Sequence, residues 1–477
     1  MLLSEMPNPP RFERGQKSFP TEYNQSTKDA FIRSFYNKDI DVEPPIVERY
    51  KKPQIHLKLE DCIALALHNN FKIKISNAQE SQYLWAFHNR TSKFLPNIYY
   101  SYSLANLNGA FLAGGVIPTK VNETPVTDNF WFTLNLFDGG YRIYKRKAAK
   151  RDYEAAKKNV IFTREEILRD ATVSYYRLLS HKLALRVLLR NKEEIEAHLE
   201  INKKNGSEFD ILRSEAALAA AKQKLALRYS MFGREQANCA NILGIDVAET
   251  VFPIEDVIVK KTLIDKDLPI EELSQSAYMS RNDLEALRLR IKVLENEKKS
   301  IYSNFLPHAD GYAALGRVGT AKLGFLESRQ VGFLTTWTLG TFVPEYTDIK
   351  RYDSMIDEAK YNLQNRYRNI QESIIGAYYG TRSANSRSIE AEKQIIASDK
   401  ALEEALFRLM SGGLYIDVLQ TQDSKTDAKV NLIDAIADYN VYQINQLFNT
   451  GAISVYNLTE VQDRDIAKEE IYAKLEK

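Results

Sequence analysis

Phe94-Leu95-Pro96-Asn97-Ile98-Tyr99-Tyr100-Ser101-Tyr102-Ser103-Leu104 is the stretch on which the fold turns. From about Leu57 to Lys93 the apolar residues Leu59, Ile63, Ala66 and Ile73 follow helical spacing. Pro96 cannot continue that helix, because it lacks a backbone donor and clashes with the preceding turn. Beyond it the period changes to two. Ile98, Tyr100, Tyr102 and Leu104 share one face, and Tyr99, Ser101, Ser103 and Ala105 share the other. A Gly-rich link (Gly109, Gly114-Gly115) leads to a second strand with Phe130, Phe132, Leu134 and Leu136 on one face. Trp131, Thr133 and Asn135 face the other way. Phe137-Asp138-Gly139-Gly140 ends this strand and opens a helix from Tyr141 to Lys204 with no breaker inside it. Asn205-Gly206-Ser207 is a helix-to-helix turn, and Glu208 to Leu243 is the return helix.

This unit occurs twice. Leu59-Glu60, Ala66 and Phe94-Leu95-Pro96 reappear as Ile270-Glu271, Ala277 and Phe305-Leu306-Pro307 at a constant offset (270 − 59 = 211). Trp131 answers Trp337, Tyr175-Tyr176 answers Tyr378-Tyr379, and Asp210-Ile211-Leu212 answers Asp417-Val418-Leu419. A duplicated unit supplies the same piece of a larger object twice. The second copy predicts a helix from about Leu268 to Asn304 and a small-residue strand through Ala309, Gly311, Ala313 and Leu315. A strand from Val331 to Phe342 follows, then a helix from about Tyr346 to Met410. A Ser411-Gly412-Gly413 turn and a helix from Tyr415 to Phe448 close the unit. The organisation read from the chain is a lead-in over 1–55, a first repeat over 56–244, a linker over 245–267, a second repeat over 268–451 and a tail over 452–477.

Length decides between a bundle and a tube. An unbroken helix of about 64 residues spans ~95 Å, and the shorter helices of about 37 and 36 residues together span ~110 Å. Two short helices stacked end to end therefore match one long one. Such columns are too tall for one compact core. Four strands cannot close into a barrel, and open edges are not tolerated in lipid, so closure demands an oligomer of two or three chains.

Composition excludes other classes. The 65 basic and 63 acidic residues nearly cancel, which points to neither nucleic acid nor an acidic ligand. No apolar run reaches the ~18–20 residues of a transmembrane helix, so any membrane crossing must be a β-barrel. Cys62 and Cys239 have no metal spacing, and the six His are scattered. Cys239 closes the series Ile211, Leu218, Leu225, Phe232 at seven-residue steps, which favours a small buried hydrophobe over half of a disulfide and leaves the pairing of Cys62 with Cys239 open. No nucleophile elbow, cofactor fingerprint or paired-carboxylate helix motif is present, so neither an enzyme nor a cofactor is expected. The basic run Arg142, Lys145, Arg146, Lys147, Lys150, Arg151 follows a strand directly and reads as a solvated collar. Met1-Leu2-Leu3 is followed by a polar stretch with no signal-peptide core, so an exported reading expects the signal to be absent from this sequence. The alternative is a cytosolic coiled-coil scaffold, which has no use for paired aromatic strands.

Leu59-Glu60-Asp61-Cys62-Ile63-Ala64-Leu65-Ala66, Phe94-Leu95-Pro96, Leu136-Phe137-Asp138-Gly139-Gly140 and Tyr415-Ile416-Asp417-Val418-Leu419 together resemble the TolC-like outer-membrane efflux protein family over roughly 57–450. The resemblance implies a mainly α protein with a β-barrel portion, forming a homotrimer with a 12-strand outer-membrane barrel and a 12-helix periplasmic tunnel. It implies a passive exit duct for multidrug efflux or type I secretion, in the outer membrane and extending into the periplasm. The partners implied are a periplasmic adaptor, an inner-membrane pump and outer-membrane lipid, with no nucleic acid. Asp417 is carried over as the gate residue at the periplasmic tip. Lys203, Lys204 and Arg408, at the exposed turns, are candidate adaptor contacts. Gln420 stands where the family often has a second acidic residue.

Overall fold

In the computed structural model the described residues are 54–113, 117–247, 249–265, 268–320, 324–337, 342–411 and 414–459. The expected lead-in up to residue 53, the Gly114-Gly115 and Gly412-Gly413 pairs, and the tail beyond 459 lie outside them. The first set of elements is β1 (Gln54–Leu57), α1 (Leu59–Asn69), α2 (Phe71–Ser92), β2 (Asn97–Leu104), β3 (Leu107–Ala113), β4 (Ile117–Glu123), β5 (Pro125–Phe137), α3 (Tyr141–Asn205) and α4 (Glu208–Leu243). The second is β6 (Thr250–Pro253), α5 (Ile270–Ser280), α6 (Asn282–Tyr302), β7 (His308–Thr320), β8 (Gly324–Thr336), α7 (Phe342–Met410), α8 (Tyr415–Asn449) and the short α9 (Val455–Thr459).

The helices expected over 57–93 and 268–304 are each broken, at Asn70 and Arg281. Both residues leave the helical region (φ −57°, ψ 128° and φ −70°, ψ 126°), and they obey the repeat offset (281 − 70 = 211). Nonlocal bonds fix both breaks. Asn70 Nδ2 donates to the Ile242 carbonyl at 2.7 Å, and Arg281 Nη1 donates to the Phe448 and Asn449 carbonyls at 3.2 Å. Each break thus satisfies the orphan carbonyls at the end of the return helix of its own copy. Gly244 (φ 68°) closes α4 against this joint, where a Cβ would stand 2.8 Å from Asn69 backbone. The stacked column is therefore α2 with α4, both packed along α3. Of the leading pieces, α1 packs on α3 and α4 at the joint, and α5 packs on α7.

The 65-residue α3 and the 69-residue α7 are single helices, about 98 and 104 Å long. Tyr175-Tyr176 and Tyr378-Tyr379 form edge-on ring pairs at 84° and 85°, so the repeat survives at the level of ring geometry. The main core joins β1, α1, β6, α3, α4 and α8 around Ile63, Ile167, Tyr175, Leu178, Leu243, Val251 and Ile444. β1 pairs in parallel with β6, Gln54 to Thr250 through Leu57 to Pro253. This draws the linker into that core and packs Ile55, assigned to the lead-in, against it.

Two strand expectations are corrected. The Gly-rich link is a hairpin of its own, β3 with β4. The last strand runs from Gly324 to Thr336 instead of Val331 to Phe342. Phe342 starts α7, and Pro344 falls in its first turn, where a missing N–H costs nothing.

Candidate functional site

Four strands form one antiparallel sheet in the order β2-β5-β7-β8. Its first face presents successive rows, Leu134–Gly311–Phe333, Ile98–Phe132–Ala313–Val331 and Tyr100–Phe130–Leu315–Arg329. The apolar side chains in these rows are exposed, with Val331 85% and Phe333 76% open. The next row carries charge, Asp128 pairing Arg317 at 3.0 Å beside Glu327. With Leu136 and Phe137 below, the apolar rows span roughly 20 Å along the strands, close to the ~25 Å band of an outer-membrane barrel. The opposite face is mostly polar, with Ser101, Asn129, Thr133, Gln330 and an Asn135–Asp310 bond of 2.8 Å, and with Val318, Leu326 and Leu334 as its exposed aliphatic exceptions. Tyr99, Trp131 and Tyr312 stack across it at 6.2 and 6.4 Å. Among the described residues no helix is long and apolar enough to cross a membrane.

The strand-to-helix junction is tied down from the sequence motif outward. The Asp138 carboxylate accepts from Gly140 N and Arg142 N at 3.1 Å and from Arg142 Nε at 2.7 Å. Gly139 (φ 62°) lies against the second copy's elbow, where a Cβ would meet the Ser303 carbonyl at 2.7 Å. The basic run is less of a free collar than expected. Arg142 bonds the Lys93 and Asn135 carbonyls, Arg146 bonds Thr91 and stacks on Phe87, and Lys145 meets Glu297 at 3.8 Å.

At the other end of the helices, Asp417 sits exposed in the first turn of α8, where the helix dipole favours an acid. Two residues before it, Tyr415 is buried against the first copy, its ring 5.9 Å from His198. The Tyr415 hydroxyl lies beside Asn202 and Ser214, which bond each other at 2.9 Å, and burial pushes its phenol up. The Asp417 turn is thereby docked on the α3–α4 turn. The other predicted residues are not drawn together. Lys203 pairs with Glu200 at 3.5 Å and Arg408 with Glu404 at 2.9 Å, each within its own helix, and Lys204 is exposed.

The structure adds residues that local reading missed. Asp423, Asp427, Asp434 and Asp438 run along α8 at spacings of four, seven and four, a stripe that was visible in the sequence. Lys224 of α4 reaches Asp423 at 2.8 Å and Asp427 at 2.9 Å. Arg228 of α4 reaches Asp434 at 2.7 Å, and Arg387 of α7 reaches Asp438 at 2.7 Å. The Arg228–Asp434 and Arg387–Asp438 pairs border a cavity of about 780 Å³ between α3, α4, α7 and α8, which Arg177, His181 and Arg234 also line. His181 Nδ1 accepts from Arg228 at 3.0 Å, since a guanidinium only donates. Burial, then the Arg228 charge, lowers its pKa.

Solved channel structures share this architecture. The Campylobacter jejuni CmeC outer membrane channel matches with a TM-score of 0.75 at 15% identity, covering 87% of this chain and 89% of that one. The fold is that of the TolC-like outer-membrane channels. The outer-membrane channel OprN gives 0.71 at 17% identity over 83% and 90%, and VceC from Vibrio cholerae 0.70 at 14% over 82% and 96%. No protein-family model and no curated protein sequence matches the chain.

Proposed function

We propose that this chain is the outer-membrane exit duct of a tripartite efflux or type I secretion system, a passive channel gated at its periplasmic helical tip. The sheet carries the reading. It has an apolar band on one face, a polar face opposite and two unpaired edges, β2 and β8, and it caps helices about 100 Å long. Three copies supply 12 strands (3 × 4) and close every edge, leaving the polar face as the lumen. The repeats over 56–244 and 268–451, joined at 245–267, are then the two sectors that each protomer adds to the wall. An adaptor would engage the tips near Lys203, Lys204 and Arg408, and the pump would lie beyond it in the inner membrane. Asp417 from three copies would ring the axis. The tie of α8 to α4 through Lys224 and Arg228 would hold that ring closed. A coiled-coil scaffold leaves the amphipathic sheet without a role.

Single-channel conductance of the detergent-purified oligomer in a planar bilayer tests this. Stable cation-preferring pores from a three-chain particle are expected. A monomer or coiled-coil dimer that never inserts would overturn the reading.

A further inference from the structure

His181 stands on α3 beside the cavity where α3, α4, α7 and α8 come together. Its Nδ1 accepts from Arg228 Nη1 at 3.0 Å, which puts its one proton on Nε2. The same guanidinium reaches α8, giving Nη2 to Asp434 Oδ2 at 2.7 Å and Nη1 to Asp434 Oδ1 at 3.2 Å. A neutral imidazole thus steadies the arginine that ties α4 to α8.

The helix crossing itself does not call for this chemistry. By the offset of the tyrosine pairs (378 − 175 = 203), Ala384 stands at the place of His181. By that of Asp210 and Asp417 (417 − 210 = 207), Ala435 stands at the place of Arg228. Both alanines are buried. The second repeat therefore fills with methyl groups the positions where the first carries a titratable pair.

We propose that His181 is a proton-operated latch: neutral, it holds Arg228 on Asp434 and so α8 on α4, and once protonated it repels Arg228 and lets that tie go. The proton enters at Nδ1 and takes the lone pair that the Arg228 N–H had occupied. Two cationic donors then face each other with no acceptor between them. The nearby acids do not relieve this. Asp434 Oδ1 is already engaged by Ser180 Oγ at 2.6 Å, and Glu235 Oε1 by Ser174 Oγ at 2.6 Å and Asn238 Nδ2 at 3.0 Å. From α7, Arg387 is paired with Asp438 of α8 at 2.7 Å, and Glu390 with Lys393 at 2.8 Å. Arg177 on α3 and Arg234 on α4 add positive charge to the lining. These surroundings favour the neutral ring, in keeping with the lowered pKa of His181. A proton then binds the released arrangement more tightly than the latched one, and by linkage acid shifts the population toward release. That release opens the channel rests on the duct reading; the release itself does not.

Double electron–electron resonance on the purified oligomer reads the latch, with nitroxides on Ser230→Cys of α4 and Ser424→Cys of α8, both exposed positions. The distance distribution should widen between about pH 7.5 and about pH 5.5. The widening should vanish in His181→Gln, whose amide oxygen accepts from Arg228 without titrating. A distribution unmoved by pH in the parent overturns the latch, and so does one that widens equally in His181→Gln. Should that variant fail to fold, Arg228→Gln takes its place: it lacks the repelled cation, and a response to acid that survives in it overturns the latch as well. Single-channel conductance separates the two readings. A several-fold rise at the acid pH in the parent, absent in His181→Gln, is expected. Widening in a particle that forms no pore would sink the duct reading and leave the latch standing.

Discussion

At the scale of single residues, the sharpest case is Asp283. Its carboxylate, in a side chain 10% exposed, accepts from Arg281 Nε and Nη2 at 2.9 Å and from Arg366 Nε at 2.8 Å. Arg281 in turn caps the end of α8 and stacks on Phe448 at 5.0 Å. Asp283→Ala leaves a buried guanidinium short of its partner, so a loss of about 3–5 kcal/mol is expected in denaturant unfolding. A loss no larger than that of a surface substitution would contradict this account. Burial pushes the Asp283 carboxyl up, but the two guanidinia outweigh it and hold the group below the ordinary carboxylate range. A depressed carboxylate stabilises fully above its unfolded value, near 3.9, and loses that contribution as pH falls through the lower folded value. The acid step in melting temperature should therefore shrink in the variant.

His181 has the opposite chemistry and the same sign. Its lowered pKa keeps the ring neutral and accepting from Arg228. The surrounding charges are Arg177 on its own helix, Arg228 and Glu235 on α4 and Asp434 on α8. A base with a depressed folded pKa stabilises fully above its unfolded value, about 6.5, and loses this as pH falls toward the folded value. Melting curves between about pH 7.5 and 5 should fall more steeply for the native chain than for His181→Gln. Parallel curves would mean that the ring is already solvated.

At the scale of elements, what the sequence showed depended on whether the cause was local. Pro96 and Pro307 stop helices by their own chemistry, and the aromatic alternation from Ile98 to Leu104 needs no partner to be read. The breaks at Asn70 and Arg281 do need partners, carbonyls 172 and 167 positions away. Both residues sit in otherwise helical sequence and looked like continuations. The β3–β4 hairpin hid behind its glycines, and β1 against β6 is a parallel pairing across nearly two hundred residues that no periodicity announces. The site was legible in the same proportion. Asp417 could be picked out as an acid just after a glycine turn, and it stands in the first turn of α8. Lys224 and Arg228 were not, because an ion pair between distant helices leaves no mark beyond the acidic stripe on α8. These ties make a prediction at this scale. Lys224 is partly exposed, so Lys224→Ala should cost under about 1 kcal/mol of stability while removing the tie of α8 to α4 nearer the tip and leaving that through Arg228. In bilayers the variant should conduct several-fold more than the parent with an unchanged melting curve. Equal conductance would remove Lys224 from the gate.

At the scale of the whole molecule, the argument returns to closure. A protomer with four strands exposes two ladders of unpaired backbone groups, and hydrocarbon offers them no partner. In hydrocarbon only association would heal both edges, and the three-fold arrangement proposed above would bring three α8 turns toward one axis. Three Asp417 carboxylates there would repel and draw in a cation. The burial of Tyr415 against the first repeat would give that ring its base, since the turn would expose the phenol on swinging away. Asp417→Ala should therefore leave the trimer intact but raise conductance and abolish block by divalent cations at the tip. Native mass measurement gives the stoichiometry, and current recorded with cation added on the periplasmic side gives the block. A trimer whose conductance and cation block are both unchanged would reduce Asp417 to an ordinary first-turn acid, stabilising α8 through its dipole alone.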